Sequence, residues 1–128
     1  MENTYSVTIK EVSKELTARE RIAFKDLNNA HKFDDLLNGE DGAPVVLTPS
    51  HYGVLSIHND KSENKDYDTY VIVDKGGNKY YTSSKSFWNS FMDIVNEMEG
   101  EDEEYSIEVT AHASKNYRDK SYFTASII

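Results

Sequence analysis

A mainly β fold with one α-helix is predicted by three features of this chain. Tyr and Phe supply much of a modest 38% apolar content, and aromatic residues favour strands. Several short runs alternate apolar and polar residues, the period-two signature of half-buried strands. From Phe87 to Met98 the spacing changes to three and four, the period of a helix. A length of 128 residues implies one domain, with enough chain to bury a core without staples.

The elements follow in order. Residues 5–12 put Tyr5, Val7 and Ile9 on one side and slip at Val12, which reads as a strand with a bulge. Residues 16–24 place Ile22 and Phe24 on one face of a continuing strand, with a short helical turn as the alternative. Residues 26–44 gather Asn, Asp and Gly around Phe33, Leu36 and Leu37, a loop with one helical turn. Pro44 and Pro49 bracket Val45-Val46-Leu47, a short extended piece. Residues 52–59 read as a strand and 60–68 as a polar, lysine-bearing loop. Residues 69–73 and 79–82 flank Asp74-Lys75-Gly76-Gly77-Asn78, whose glycine pair supplies the positive φ of a hairpin turn.

Phe87, Phe91, Ile94 or Val95, and Met98 then line one face of an amphipathic helix. Ser84 or Ser86 is its N-cap and Gly100 its end. Glu97 and Glu99 fall in its last turn, where the helix dipole disfavours acids. Residues 105–109 alternate cleanly, and 122–128 close a final hairpin. Strands, then a helix, then two strands is the order of the five-stranded OB barrel, with the helix between strands 3 and 4. Residues 1–128 are therefore expected to form a single OB-fold-like domain.

Charge first argues against nucleic acid. Fourteen Lys and Arg oppose 23 Asp and Glu, a formal net charge of −9, whereas phosphates need cations. The acids are clustered, however. Glu97, Glu99, Glu101, Asp102, Glu103 and Glu104 form a run with no base, and without them the remainder carries −3. An acidic side and a local basic groove can coexist on one chain. The absence of Cys excludes disulfides and thiolate metal sites and fits a reducing cytoplasm. The first residues lack the basic and apolar regions of a signal peptide. No apolar run approaches the roughly 20 residues of a membrane span, so no membrane association is expected.

Nothing in the chain is spaced for catalysis. His31, His51, His58 and His112 lack the spacing of a helical zinc pair. Residues 101–104 lack the alternating ligands and turn glycine of a calcium loop. Gly76-Gly77 is not followed by the Lys-Ser/Thr of a phosphate loop, and no glycine-framed serine elbow occurs. No catalytic residue, metal or cofactor is expected.

Binding is better supported. Residues 114–124 hold Lys115, Arg118 and Lys120 interleaved with Tyr117, Tyr122 and Phe123. Cations beside aromatic rings suit the backbone and base faces of single-stranded nucleic acid. The expected groove adds Lys75, Lys79, Tyr80 and Tyr81 from the glycine hairpin, with Arg19, Arg21 and Lys25 as a third basic edge. Strand alternation allows only one of Tyr80 and Tyr81 to face a ligand, and turns Tyr122 and Phe123 opposite ways. Trp88 is assigned to the core, because its helix must bury that stripe.

Three segments carry a resemblance. They are Leu16-Thr17-Ala18-Arg19-Glu20-Arg21 with Lys25-Asp26, Tyr81-Thr82-Ser83-Ser84-Lys85-Ser86-Phe87-Trp88 with Phe91-Met92-Asp93-Ile94, and Ser114-Lys115-Asn116-Tyr117-Arg118-Asp119-Lys120. Each resembles a segment of the small single-stranded DNA-binding proteins encoded by phages and prophages of Gram-positive bacteria. The resemblance implies an OB fold and sequence-tolerant, non-enzymatic binding of single-stranded DNA. It further implies a role in phage DNA replication or recombination in the host cytoplasm, beside replication or recombination proteins. It would place binding on Lys115, Tyr117, Arg118 and Lys120. Many such proteins end in an acidic tail, whereas this chain ends in Ala125-Ser126-Ile127-Ile128, which reads as a strand. The alternative is an acidic protein-interaction module, a phage regulator or inhibitor that mimics DNA toward a basic host protein. A homodimer is expected where a strand edge needs covering. DNA and RNA stay undistinguished, because the 2′-OH is read through geometry.

Overall fold

The computed structural model describes residues 5–37, 44–61, 65–101, 103–113 and 121–128, with residues 112, 113, 121 and 122 described by backbone alone. The elements are β1 (Tyr5–Val12), α1 (Ala18–Lys25), β2 (His31–Lys32), α2 (Phe33–Leu36), β3 (Val45–Leu47), β4 (Pro49–Asn59), β5 (Asp66–Asp74), β6 (Lys79–Thr82), α3 (Lys85–Met98), β7 (Ile107–Ala113) and β8 (Ser121–Ile127). The chain is mainly β, as its aromatic content and alternation imply.

The strands do not form the single five-stranded barrel expected from their order. They make a five-stranded sheet, β1-β4-β5-β6-β2, and a three-stranded sheet, β3-β7-β8, and neither closes into a barrel. The physical reason is partner choice. β3, β7 and β8 pair among themselves, and β2 ends the larger sheet by running parallel to β6. The large helix α3 accordingly follows the sixth strand rather than the third. Two units contain these sheets, residues 1–32 with 50–83 and residues 33–49 with 84–128.

In the first unit β1 runs antiparallel to β4, pairing Val7 with Ile57 and Ile9 with Leu55. The register shifts between Ile9 and Glu11, the bulge announced by the slipped alternation. β1 is an edge strand, and the bulge with Lys10 and Glu11 blunts that edge. Residues 18–25 are helical, which corrects the expectation of a strand over 16–24. The cause is a capping box. Thr17 Oγ1 accepts from the Glu20 N–H at 3.2 Å, and Glu20 Oε1 accepts from the Thr17 N–H at 3.0 Å. Two orphan donors are satisfied at once, and Lys25 stands in the last turn where the dipole favours a cation.

Helix α1 buries Phe24 in a core with Leu16, Leu55, Ile57 and Val71, and Val7, Ile9, Val73 and Tyr81 pack around it. Each such large side chain contributes about 1.5–3 kcal/mol on burial. β5 and β6 form the expected hairpin, with Val71 opposite Tyr81, Ile72 opposite Tyr80 and Val73 opposite Lys79. In its turn only Gly77 takes a positive φ, at +86°. Asp74 closes the turn, its carbonyl accepting from the Gly77 N–H at 3.0 Å and its Oδ1 from the Asn78 N–H at 2.8 Å.

In the second unit α3 lies along β8, where Ser90 Oγ accepts from the Ala125 N–H at 2.8 Å. Ser84 is the N-cap of α3, accepting from the Phe87 N–H at 3.3 Å. Gly100, at φ +88°, follows its C-cap Glu99. Phe87 and Phe91 are fully buried and stacked at 6.0 Å. Trp88 packs on Phe91 at 5.4 Å, and Phe33 from α2 meets Phe87 at 5.1 Å. Among the described residues no helix is long and apolar enough to cross a membrane.

Candidate nucleic-acid interface

Residues 14–32 hold five cations (Lys14, Arg19, Arg21, Lys25, Lys32) against three acids (Glu15, Glu20, Asp26), the reverse of the whole-chain balance. With Phe24 turned inward, α1 presents Arg19 and Lys25 on its far side, and Arg21, also exposed, lies on the flank nearer Phe24. Ile22 stands among them with 68% of its surface in solvent. Arg21 also has a structural task, since Nη1 donates to the Leu16 carbonyl at 2.8 Å and holds the chain entering the helix.

The β5–β6 hairpin lies against this helix. Lys79 Nζ donates to the carbonyl of Ala23 and, at 2.5 Å, to that of Asp26. A lysine on the last carbonyls of a helix satisfies orphan acceptors and opposes the dipole. Burial lowers its ammonium from the ordinary value, with Asp26 acting the other way. Lys79, expected in the groove, is thus engaged by α1, whereas Lys75 in the turn is exposed. Tyr81 packs on the core. Tyr80 has the opposite orientation along the strand and meets the exposed His31 of β2, ring to ring, at 5.6 Å and 37°. Burial, followed by Asp74, keeps the Tyr80 phenol above its ordinary value.

Between α1 and the hairpin is a cavity of about 330 Å³. Glu20, Ala23 and Phe24 line it from the helix and Asn29 from the following loop. His51 borders it from β4, and Val73, Asn78 and Lys79 from the hairpin. The His51 ring lies 5.9 Å from that of Phe24. Burial holds its imidazole below the ordinary value, reinforced by Lys14 and Lys79 and opposed by Glu20.

The other described histidine with a clear shift has the opposite sign. His58 Nδ1 is 2.7 Å from Asp66 Oδ1, and its Nε2 is 2.8 Å from Asp60 Oδ1. Two carboxylates on two ring nitrogens require both to carry protons, and the Asp66 bond is the largest cause of its raised pKa. The carboxylates hold opposite edges of the ring and do not converge on one point, and no metal-holding group of three occurs among the described residues. Opposite pH responses follow. His58 stabilises the fold fully below its unfolded value of 6.5 and loses this as pH rises through its raised folded value. His51 costs stability only as pH falls below 6.5, where the unfolded chain takes up a proton that the folded chain refuses. In a series of melting curves from pH 5 to 8, His58→Gln should flatten the decline above about pH 6.5 and His51→Gln the decline below it. Unaltered slopes in both variants would refute this assignment.

The structure therefore places Arg19, Arg21 and Lys25 on α1, joins Lys79 of the hairpin to that helix, leaves Lys75 exposed in the turn, and turns Tyr80 and Tyr81 to opposite faces. Lys115, Tyr117, Arg118 and Lys120 lie outside the described residues, as does the side chain of Tyr122, whose backbone is in β8. His31, Lys32, His51, Asn29 and Asn78 were not singled out as site residues in the sequence. The one local signal available was the Thr17–Glu20 spacing of a capping box, which makes residues 18–25 a helix. Comparisons with family models, curated proteins and solved structures each find no match for this chain.

Proposed function

We propose that this protein binds single-stranded DNA with little sequence preference and without catalysis, serving phage DNA replication or recombination in a bacterial host cytoplasm. The observation that carries the reading is the set of exposed cations on α1 and in the hairpin turn, Arg19, Arg21, Lys25 and Lys75, in a chain of net charge −9. Cations maintained against an acidic background suit a polyanion. Lys32 and the His31–Tyr80 ring pair at the sheet edge add a charge and a stacking surface. OB-type proteins bind strands on a sheet face and the loops beside it. The five-stranded sheet with its hairpin turn supplies such a surface without barrel closure. Replication or recombination proteins, and a second copy joined along a strand edge, belong to the same proposal.

Anisotropy of labelled oligo-dT, with a duplex and an RNA strand alongside, tests it across salt. Salt-sensitive binding of the single DNA strand is expected. The triple variant Arg19→Ala, Lys25→Ala, Lys75→Ala should reduce the log–log salt slope by about 2, at about 0.7 per lost phosphate contact on a single strand. Arg21 is left in place because it holds Leu16. No binding at low salt would overturn the proposal. It would favour the second reading, an acidic module presenting Glu97, Glu99, Glu101, Glu103 and Glu104, all exposed, to a basic protein.

A further inference from the structure

We infer that the cavity beside α1 receives one unstacked nucleobase of the bound strand. The inference rests on the single-stranded DNA reading and gives it a base-holding site. The volume, about 330 Å³, lies at the small end of ligand sites and leaves room for one planar heterocycle.

The lining chemistry selects the base over the phosphate. Glu20 is held by the Thr17 N–H at 3.0 Å and by Lys14 at 3.6 Å. Lys79 is held by two backbone carbonyls of α1 and its cap. Burial and the Lys14 and Lys79 ammonium groups oppose protonation of His51, with Glu20 acting the other way. Lys79 is thus engaged within the protein, and a phosphate entering the cavity would lose water and meet the Glu20 carboxylate on its wall. A neutral ring meets a better environment. The imidazole of His51, backed by Phe24, gives a planar wall. Asn29 and Asn78 offer amide donors and acceptors, the groups that read base edges. Asn78 is fixed beforehand, since its amide donates to Asp74 Oδ2 at 3.3 Å and its backbone N–H to Asp74 Oδ1 at 2.8 Å. Lys75, exposed in the same turn as Asn78, would then meet the phosphate of the nucleotide whose base enters the cavity.

The test uses the full chain labelled with ¹⁵N and two strands of equal length, oligo-dT and its abasic counterpart. Both present phosphates and only the first presents bases. The expected result is that the Gly77 and Asn78 amides and the Asn29 and Asn78 side-chain amides shift with oligo-dT and stay in place with the abasic strand. The variant Ala23→Phe, which fills the cavity from α1 without altering charge, should cut the preference for oligo-dT over the abasic strand by at least about fivefold, the lower end for one stacked base. Two results would overturn the inference while leaving strand binding intact. One is identical shifts at those amides with both strands. The other is shifts confined to the basic residues of α1. If neither strand shifts any resonance at low salt, the DNA reading itself fails and the base site with it.

Discussion

Phe24→Ala is expected to destabilise the first unit by about 3–5 kcal/mol, the usual cost of emptying a buried aromatic position. Phe24 is 1% exposed and is the one buried side chain that α1 contributes. An eight-residue helix has little stability of its own in water, so packing must hold it. Removing the ring leaves a void among Leu16, Leu55, Ile57 and Val71 and releases the helix that carries Arg19, Arg21 and Lys25. Two measurements should move together. Urea unfolding should shift to a lower midpoint, and hydrogen exchange at the Arg21 amide, bonded to the Thr17 carbonyl at 2.9 Å, should accelerate. Phe24→Leu should lose less on both, because it keeps an apolar anchor. A loss below about 1 kcal/mol for Phe24→Ala would mean that α1 is seated by something other than this ring.

The contrast between α1 and α3 shows what local pattern can and cannot reveal. α3 was legible because Phe87 and Phe91 recur at four residues, Ser84 caps its start and Gly100 ends it. α1 offered Ile22 and Phe24 two residues apart, which mimics a strand face. In the structure the two differ sharply, Phe24 being buried and Ile22 68% exposed. The Thr17–Glu20 capping box outweighed that alternation. β1, with its bulge, and the β5–β6 hairpin were legible for the same reason as α3, since their signals lie within a few residues.

Pairing over long range was not legible. Nothing local in His31-Lys32 indicates a strand, because its partner β6 lies 49 positions further on (His31 with Tyr80). The split into two sheets depends on β3 finding β7 across some 60 residues (Val45 with Val109), so element order alone suggested a barrel. The interface shows the same limit. Alternation foretold that Tyr80 and Tyr81 must diverge, but their orientation depends on how the sheet packs. Lys79 looked like a surface cation because the carbonyls that engage it belong to residues more than 50 positions earlier. The cavity joins Glu20, His51 and Asn78, residues that share no motif.

Gly53→Ala should be the most damaging of three glycine substitutions, and its cause lies where β1 bulges. Gly53 pairs with Val12 just past the register shift. A methyl group there would overlap the Glu11 carbonyl oxygen and would stand 3.0 Å from both Val12 Cα and Phe24 Cζ. Two of these neighbours are backbone atoms that cannot rotate away, and the third is the ring that anchors α1. Relief requires β1 to move out, Phe24 to retreat, or both. Overpacking of this kind costs about 1–3 kcal/mol, occasionally more, and rigid neighbours put this site at the upper end. At about 4 °C per kcal/mol for a chain of this size, the melting temperature should fall by on the order of 10 °C. The turn glycines calibrate the result. Gly77 sits at φ +86° with open space around it, so Gly77→Ala incurs backbone strain alone, about 1–2 kcal/mol. Gly76 has ordinary neighbours at 3.4 and 3.5 Å and no left-handed φ, so Gly76→Ala should stay within about 0.5 kcal/mol of the parent. The order Gly53, Gly77, Gly76 distinguishes steric closure from backbone strain. If Gly77→Ala proved the worst, the close approach of β1, β4 and Phe24 would not be what limits this fold.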